Sequence, residues 1–239
     1  MARGSSERAE EILALNQLGI LAERRGALED AADHYQRALD LQQVAGEGPG
    51  ETLLRSNLAR VQMRLGDGTL AEAEATHAIE RARPLEDPGS AAVAYRELGR
   101  VLRAQHRDAE ARGALSSAAE LFARAGWHDQ ESSVRLELGR ACIDCGDARH
   151  AVAELSRALR GKDGVAAMRL MADAYEAMKE PKNALTFRER ALEQARRSGG
   201  DDLATLLDEA IASARKVDRP DLVATWTSER DALTPTAER

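Results

Sequence analysis

Aromatic residues are scarce: two tryptophans, three tyrosines and two phenylalanines make up 3% of 239 residues. Aromatic-lined pockets and β-sandwich cores rely on such side chains, so neither suits this composition. Cysteine is limited to Cys142 and Cys145, which excludes a disulfide-stapled secreted scaffold. Only four of the 34 basic residues are lysines (Lys162, Lys179, Lys182, Lys216), so arginine carries the positive charge. The formal net charge is −7, which disfavours wholesale phosphate-backbone binding, and no nucleic-acid partner is expected. No apolar run approaches the roughly 18 residues of a membrane span, and no secretory leader pattern opens the chain. A soluble, cytoplasmic protein without membrane insertion is the expectation. Alternating β-branched runs are also missing, so no strands are predicted.

What the chain does have is an echo of itself at a shift of 40 residues. Leu18-Gly19 recurs as Leu58-Ala59, Leu98-Gly99 and Leu138-Gly139. About a dozen residues after each pair comes a triplet at i, i+4 and i+7: Ala31/Tyr35/Ala38, Ala71/Ala75/Ala78, Ala111/Leu115/Ala118 and Ala151/Leu155/Ala158. Between pair and triplet stands a breaker, Gly26, Gly66, His106 or Gly146. A fixed period in this range signals stacked supersecondary units. Apolar steps of three and four residues, as in Leu54, Leu58, Val61 and Leu65, make each unit a pair of helices, A and B. Glycine within a helix costs about 1 kcal/mol relative to alanine, so its recurrence marks a crossing too close for a Cβ. After residue 160 the period shortens, and Met171-Ala172, Tyr175, Pro181, Ala184, Phe187 and Ala191 form a fifth pair. A degenerate sixth pair is expected over 201–231, with Pro220 opening its last helix, Trp226 packing inward and the tail beyond 232 frayed.

These offsets resemble the tetratricopeptide repeat. The segments LNQLGILA…ALEDAADHYQRAL (15–39), YRELGRVL…DAEARGALSSAA (95–119) and LMADAYEAMKEPKNALTFRERAL (170–192) carry the resemblance. The family period is usually 34 residues, and the 40 seen here is similar to the long repeats of kinesin light chains, spindle-orientation adaptors and bacterial regulators. The resemblance implies an all-α fold: a single right-handed superhelical solenoid of about six antiparallel helix pairs, at about 9–45, 50–85, 90–125, 130–160, 163–198 and 201–231. It also implies a concave groove that takes a partner protein or an extended peptide, without catalysis and without a cofactor.

In such solenoids the position after the Gly/Ala slot lines the groove. Here that column reads Ile20, Arg60, Arg100, Arg140 and Asp173. Arg96, Arg103 and Arg107 continue the stripe in the third unit and Arg64 in the second, while Asn16 and Asn57 offer amides to a peptide backbone. Guanidinium forks pair bidentately with carboxylate and phosphate, so the column suits an acidic or phosphorylated peptide. The competing reading is a solvated face neutralised from within. Glu97 and Glu137 stand three residues before Arg100 and Arg140, whereas Arg60 has Asn57 there and is expected to be the freest. The two-carboxylate clamp of chaperone-binding members is not expected, because its slots hold Asn16 and Ile20.

Other constellations carry little. Cys142-x-x-Cys145 has no second pair and no preceding strand, and Cys142 occupies an apolar slot, so packing is expected rather than redox or metal chemistry. The histidines 34, 77, 106, 128 and 150 lack metal-ligand spacing and are read as surface residues. The Gly46–Gly50 loop lacks the Lys-Ser/Thr of a phosphate loop. No nucleophile or acid–base arrangement stands out from a 31% charged background. The expected function is a non-catalytic scaffold. The alternatives are a peptide- or ligand-sensing module of a bacterial regulator, and a homotypic platform in which the sixth unit docks on another copy.

Overall fold

A computed structural model of the chain describes residues 2–45, 49–159, 161, 163–199 and 202–233. The middle of the Gly46–Gly50 loop and the tail from Thr234 lie outside the described residues. Among the described residues there are twelve α-helices, one short 3-10 turn at Arg83–Leu85 and no strand. The helices are α1 (Ala2–Arg24), α2 (Leu28–Ala45), α3 (Pro49–Leu65), α4 (Gly68–Ala82), α5 (Pro88–Ala104) and α6 (Asp108–Ala125). They continue with α7 (His128–Asp144), α8 (Ala148–Ala158), α9 (Gly164–Ala177), α10 (Pro181–Ser198), α11 (Leu203–Lys216) and α12 (Pro220–Leu233).

Each helix pair turns in the same way. The breaker residue takes a left-handed conformation, with φ of 79° at Gly26, 90° at Gly66 and 78° at Gly146. His106 occupies the equivalent position with φ 60°, and Lys179 and Asp218 follow with 61° and 55°. Two backbone bonds close each turn. Gly26 N–H reaches Glu23 O at 3.1 Å and Ala27 N–H reaches Ala22 O at 3.0 Å, the two-bond pattern of a Schellman C-cap. The same pair recurs at His106/Arg107 and Lys179/Glu180. The following helix starts with its own device. Asp67 and Asp147 accept the Leu70 and His150 N–H groups as N-caps, and Pro181 and Pro220 open α10 and α12, where a missing N–H does no harm.

Packing within the hairpins explains the small-residue slot. A Cβ built on Gly99 would lie 2.7 Å from Leu115 Cγ, and one on Gly19 2.6 Å from the Tyr35 ring. Both separations are shorter than real carbon contacts, so the bulky middle residue of the helix B triplet fills the space that a side chain on helix A would need. The fifth hairpin departs from expectation. The residue at i+4 of its triplet is Arg188, between Ala184 and Ala191, and Arg188 is buried. Phe187, one position earlier, stacks on Tyr175 instead, with ring centroids 5.4 Å apart.

Contacts divide the chain into two compact units, Met1–Val134 and Arg135–Arg239, with the boundary inside α7. In the first unit α1 packs on α2, α3 on α4 and α5 on α6, while α2·α3, α4·α5 and α3·α5 join successive hairpins. Its core includes Tyr35, Leu39, Leu58, Val61, Leu115 and Phe122. In the second unit α8·α9, α9·α10, α10·α11 and α11·α12 are in contact, and Leu192, Leu207, Ile211 and Trp226 share one apolar cluster. Two helix A to helix B ion pairs occupy equivalent positions: Arg55 with Glu74 at 2.7 Å and Arg135 with Glu154.

Candidate functional site

The first unit holds the predicted column on α1, α3 and α5. Its centre is Glu23, near the end of α1, which the sequence reading passed over. Arg60 donates to it through Nε and Nη2, both at 2.8 Å, and Arg64 Nη1 adds a third bond at 3.1 Å. Arg60 Nη2 also donates to Asn57 Oδ1 at 3.0 Å, and Arg60 Nη1 lies 3.9 Å from Glu97 Oε1. Arg100 Nη1 donates to the same Glu97 oxygen at 3.0 Å. Acid and base therefore alternate across the helices: Glu23, Arg60, Glu97, then Arg100. Arg60, expected to be the freest of the column, is heavily engaged. Its two carboxylate partners sit 37 residues away on neighbouring A helices.

The electrostatics follow from this geometry. Hydrogen bonds from Arg60 hold the Glu23 carboxyl below its ordinary range, outweighing the upward push of burial. The same bonds raise the Arg60 guanidinium, so the pair is charged at every physiological pH. Tyr35 Oη points at Glu23 Oε2, 3.5 Å away. Burial, then the neighbouring Glu23 charge, push the Tyr35 phenol up to about 12. One tyrosine thus fills the Gly19 slot and braces the groove carboxylate.

The remaining predicted residues divide by environment. Asn16 and Asn57 are buried and bond each other, Nδ2 to Oδ1 at 3.0 Å, so these amide groups join α1 to α3. Arg96 donates to Ser133 Oγ at 3.0 Å on the first turns of α7. Arg103 is partly buried near the end of α5. Arg107 leaves the column at the hairpin turn and pairs with Glu72 and Glu110, at 2.7 and 2.8 Å. Arg140 and Asp173 belong to the second unit; Arg140 is exposed, and Asp173 accepts from the buried Arg188 Nη2 at 2.6 Å. Arg188 also donates to Glu209 at 2.6 Å, a carboxylate shared with Arg169. Nothing in an intrahelical scan points to this cluster; the i+4 position of the triplet was its one visible signal.

A cleft of about 400 Å³ opens on the first-unit column, lined by Ile20, Glu23, Arg24, Leu53, Asn57, Arg60 and Arg64. Leu53 is exposed on its wall, and three guanidinium groups line it against one carboxylate. A larger cleft of 720 Å³ lies between the α4–α5 connection and α6, with Tyr95, Arg83, Arg124, Asp87 and Glu120 among its walls and none of the predicted residues. Cys142 is buried and Cys145 exposed. His34 is partly buried rather than a surface residue, because its neighbours Ala31, Tyr35 and Ala38 form the inner stripe of α2. Among the described residues no cluster of His, Cys, Asp and Glu could hold a metal ion, and no helix is long and apolar enough to cross a membrane.

Comparison with known proteins agrees with this geometry. Residues 50–124 match the tetratricopeptide repeat family. Residues 50–124 thus match the tetratricopeptide repeat in sequence, and the helical hairpins of the chain share the fold of such repeats. Pseudomonas aeruginosa pilF is 22% identical over 97% of this chain and 95% of its own, with a TM-score of 0.71. A putative kinesin light chain of Podosopora anserina with TPR-like repeats is 20% identical over 78% and 96%, with a TM-score of 0.68. A signal-transduction ATPase of Pyrococcus horikoshii, described as having a tetratricopeptide repeat sensor, is 16% identical over 99% of this chain but only 38% of its own, with a TM-score of 0.77. No curated protein sequence matches significantly. Folds of this family mediate protein–protein interaction and are typically non-catalytic.

Proposed function

We propose that this protein is a non-catalytic adaptor whose first-unit cleft takes an extended peptide carrying an acidic side chain next to an apolar one. The observation behind this is the lining of the cleft. Ile20 and Leu53 offer an apolar surface, and Arg24 and Arg64 flank it. Arg60 is committed to Glu23 and Asn57, so it holds the wall in place. Arg64 gives a single Nη1 bond to Glu23 and is 41% exposed, which leaves its outer edge for a ligand carboxylate. A cleft this small suits a micromolar interaction with few dominant contacts.

Titration calorimetry with short peptides tests this reading. Peptides with an Asp or Glu beside a Leu should bind, and Arg24→Glu with Arg64→Glu should weaken them at least tenfold while helicity is kept. Binding that ignores both substitutions, or that prefers lysine-rich peptides, overturns it. A sensory role inside a larger regulator is the second reading, favoured by the likeness to the Pyrococcus horikoshii sensor, and an effector domain in the parent reading frame would decide for it.

A further inference from the structure

Helix α1 carries an apolar face with none of the described residues packed over it. Leu18 and Leu21 are 45% and 43% exposed. One period on, Leu58 and Val61 are 3% and 0% exposed, because α3 lies against the hairpin before it. Leu13 and Ala14 are also exposed and extend the face towards the start of the helix. Here the sequence keeps leucines at the positions through which its other hairpins stack.

The charges along this face say what would cover it. Glu10 stands seven residues before Gln17 and Arg24 seven residues after it, on the same stripe of α1. Two copies of α1 laid antiparallel about a two-fold axis at Gln17 bring Leu13 of one against Leu21 of the other. The same operation sets Glu10 against Arg24 at both ends. The face is self-complementary in shape class and in charge, which is what an isologous interface needs. The opposite end of the chain does not offer a matching socket. The exposed stripe of α12 includes Asp221, Thr225, Ser228 and Asp231, and its exposed apolar residues are two alanines, Ala224 and Ala232, and Leu233. Head-to-tail stacking through the last hairpin would therefore set polar groups against the leucines.

We infer that the protein forms a two-fold homodimer through the outer face of α1, in which Arg24, which also lines the first-unit cleft, pairs with Glu10 of the other copy. A single helix face falls short of a standard interface of about 1,600 Å², so the dimer is expected to dissociate in the micromolar range. Sedimentation equilibrium of the full chain across a dilution series should show twice the chain mass at high concentration, falling to one chain mass on dilution. Leu21→Glu should be monomeric throughout with an unchanged circular dichroism spectrum. Glu10→Arg alone and Arg24→Glu alone should each dimerise at least tenfold more weakly, since like charges then meet at both ends. An equal mixture of these two variants should recover the dimer, because the introduced arginine of one copy then faces the introduced glutamate of the other. A wild-type chain that stays monomeric at the highest attainable concentration overturns the proposal. So does a dimer that survives Leu21→Glu, or a mixture no tighter than the separate variants.

Discussion

At the scale of single residues, a missing side chain sets the spacing within each hairpin. Gly99 faces Leu115 so closely that a methyl group would meet its Cγ at 2.7 Å. Overpacking of this kind costs about 1–3 kcal/mol. Gly99→Ala should therefore lower the melting temperature by several degrees, and Gly99→Leu by more. Pairing Gly99→Ala with Leu115→Ala should recover part of the loss of the first change, because the two groups compete for one volume. Calorimetry of the four proteins gives the coupling, and strict additivity would mean the contact is misplaced. The Leu-Gly pair, the Ala triplet and the breaker were all legible because each lies within about twenty residues and repeats. The chemistry of the fifth slot was not. An aromatic at Phe187 drew attention from Arg188, the residue that keeps the i+4 register of the triplet.

At the scale of helices, ion pairs between successive elements replace the larger apolar side chains that this chain lacks. Arg188 sits where Leu115 and Leu155 stand in other hairpins, and it bonds Asp173 and Glu209. Breaking a buried pair costs about 3–5 kcal/mol, since a desolvated charge is left behind. Arg188→Ala should destabilise the protein by about 3 kcal/mol in urea unfolding. Arg188→Leu should cost less, because it restores the apolar body of the slot; equal losses would show that packing there is irrelevant. The Glu23 cluster gives a pH signature. Its carboxyl is held below an ordinary value near 4.5, so the stabilisation is complete above that value and is lost as pH falls through the lower folded value. Glu23→Gln should make the protein less stable at neutral pH and narrow its difference from wild type in acid. A parallel offset at all pH values would contradict the assignment. This cluster could not be read from intrahelical spacing, because Glu23 and Arg60 are 37 residues apart and meet only once α1 and α3 are side by side.

At the scale of the whole molecule, the net charge and the cleft oppose each other. The chain carries −7, so an acidic peptide is repelled at long range. Within the cleft three guanidinium groups outnumber one carboxylate, and the same peptide is attracted on contact. Salt acts on these two forces at different distances. The screening length is about 30 Å at 0.01 M and about 8 Å at 0.15 M, so added salt removes the long-range repulsion first and weakens the contact pairs less. Association of an acidic peptide should therefore hold steady or quicken as salt rises towards physiological strength, while dissociation quickens because the Arg64 contact is partly exposed. Stopped-flow measurements over a sodium chloride series separate the two rates. Steep slowing of association with salt would mean that attraction, not repulsion, dominates the approach. The acidic partner would then be meeting a surface well beyond Arg24 and Arg64.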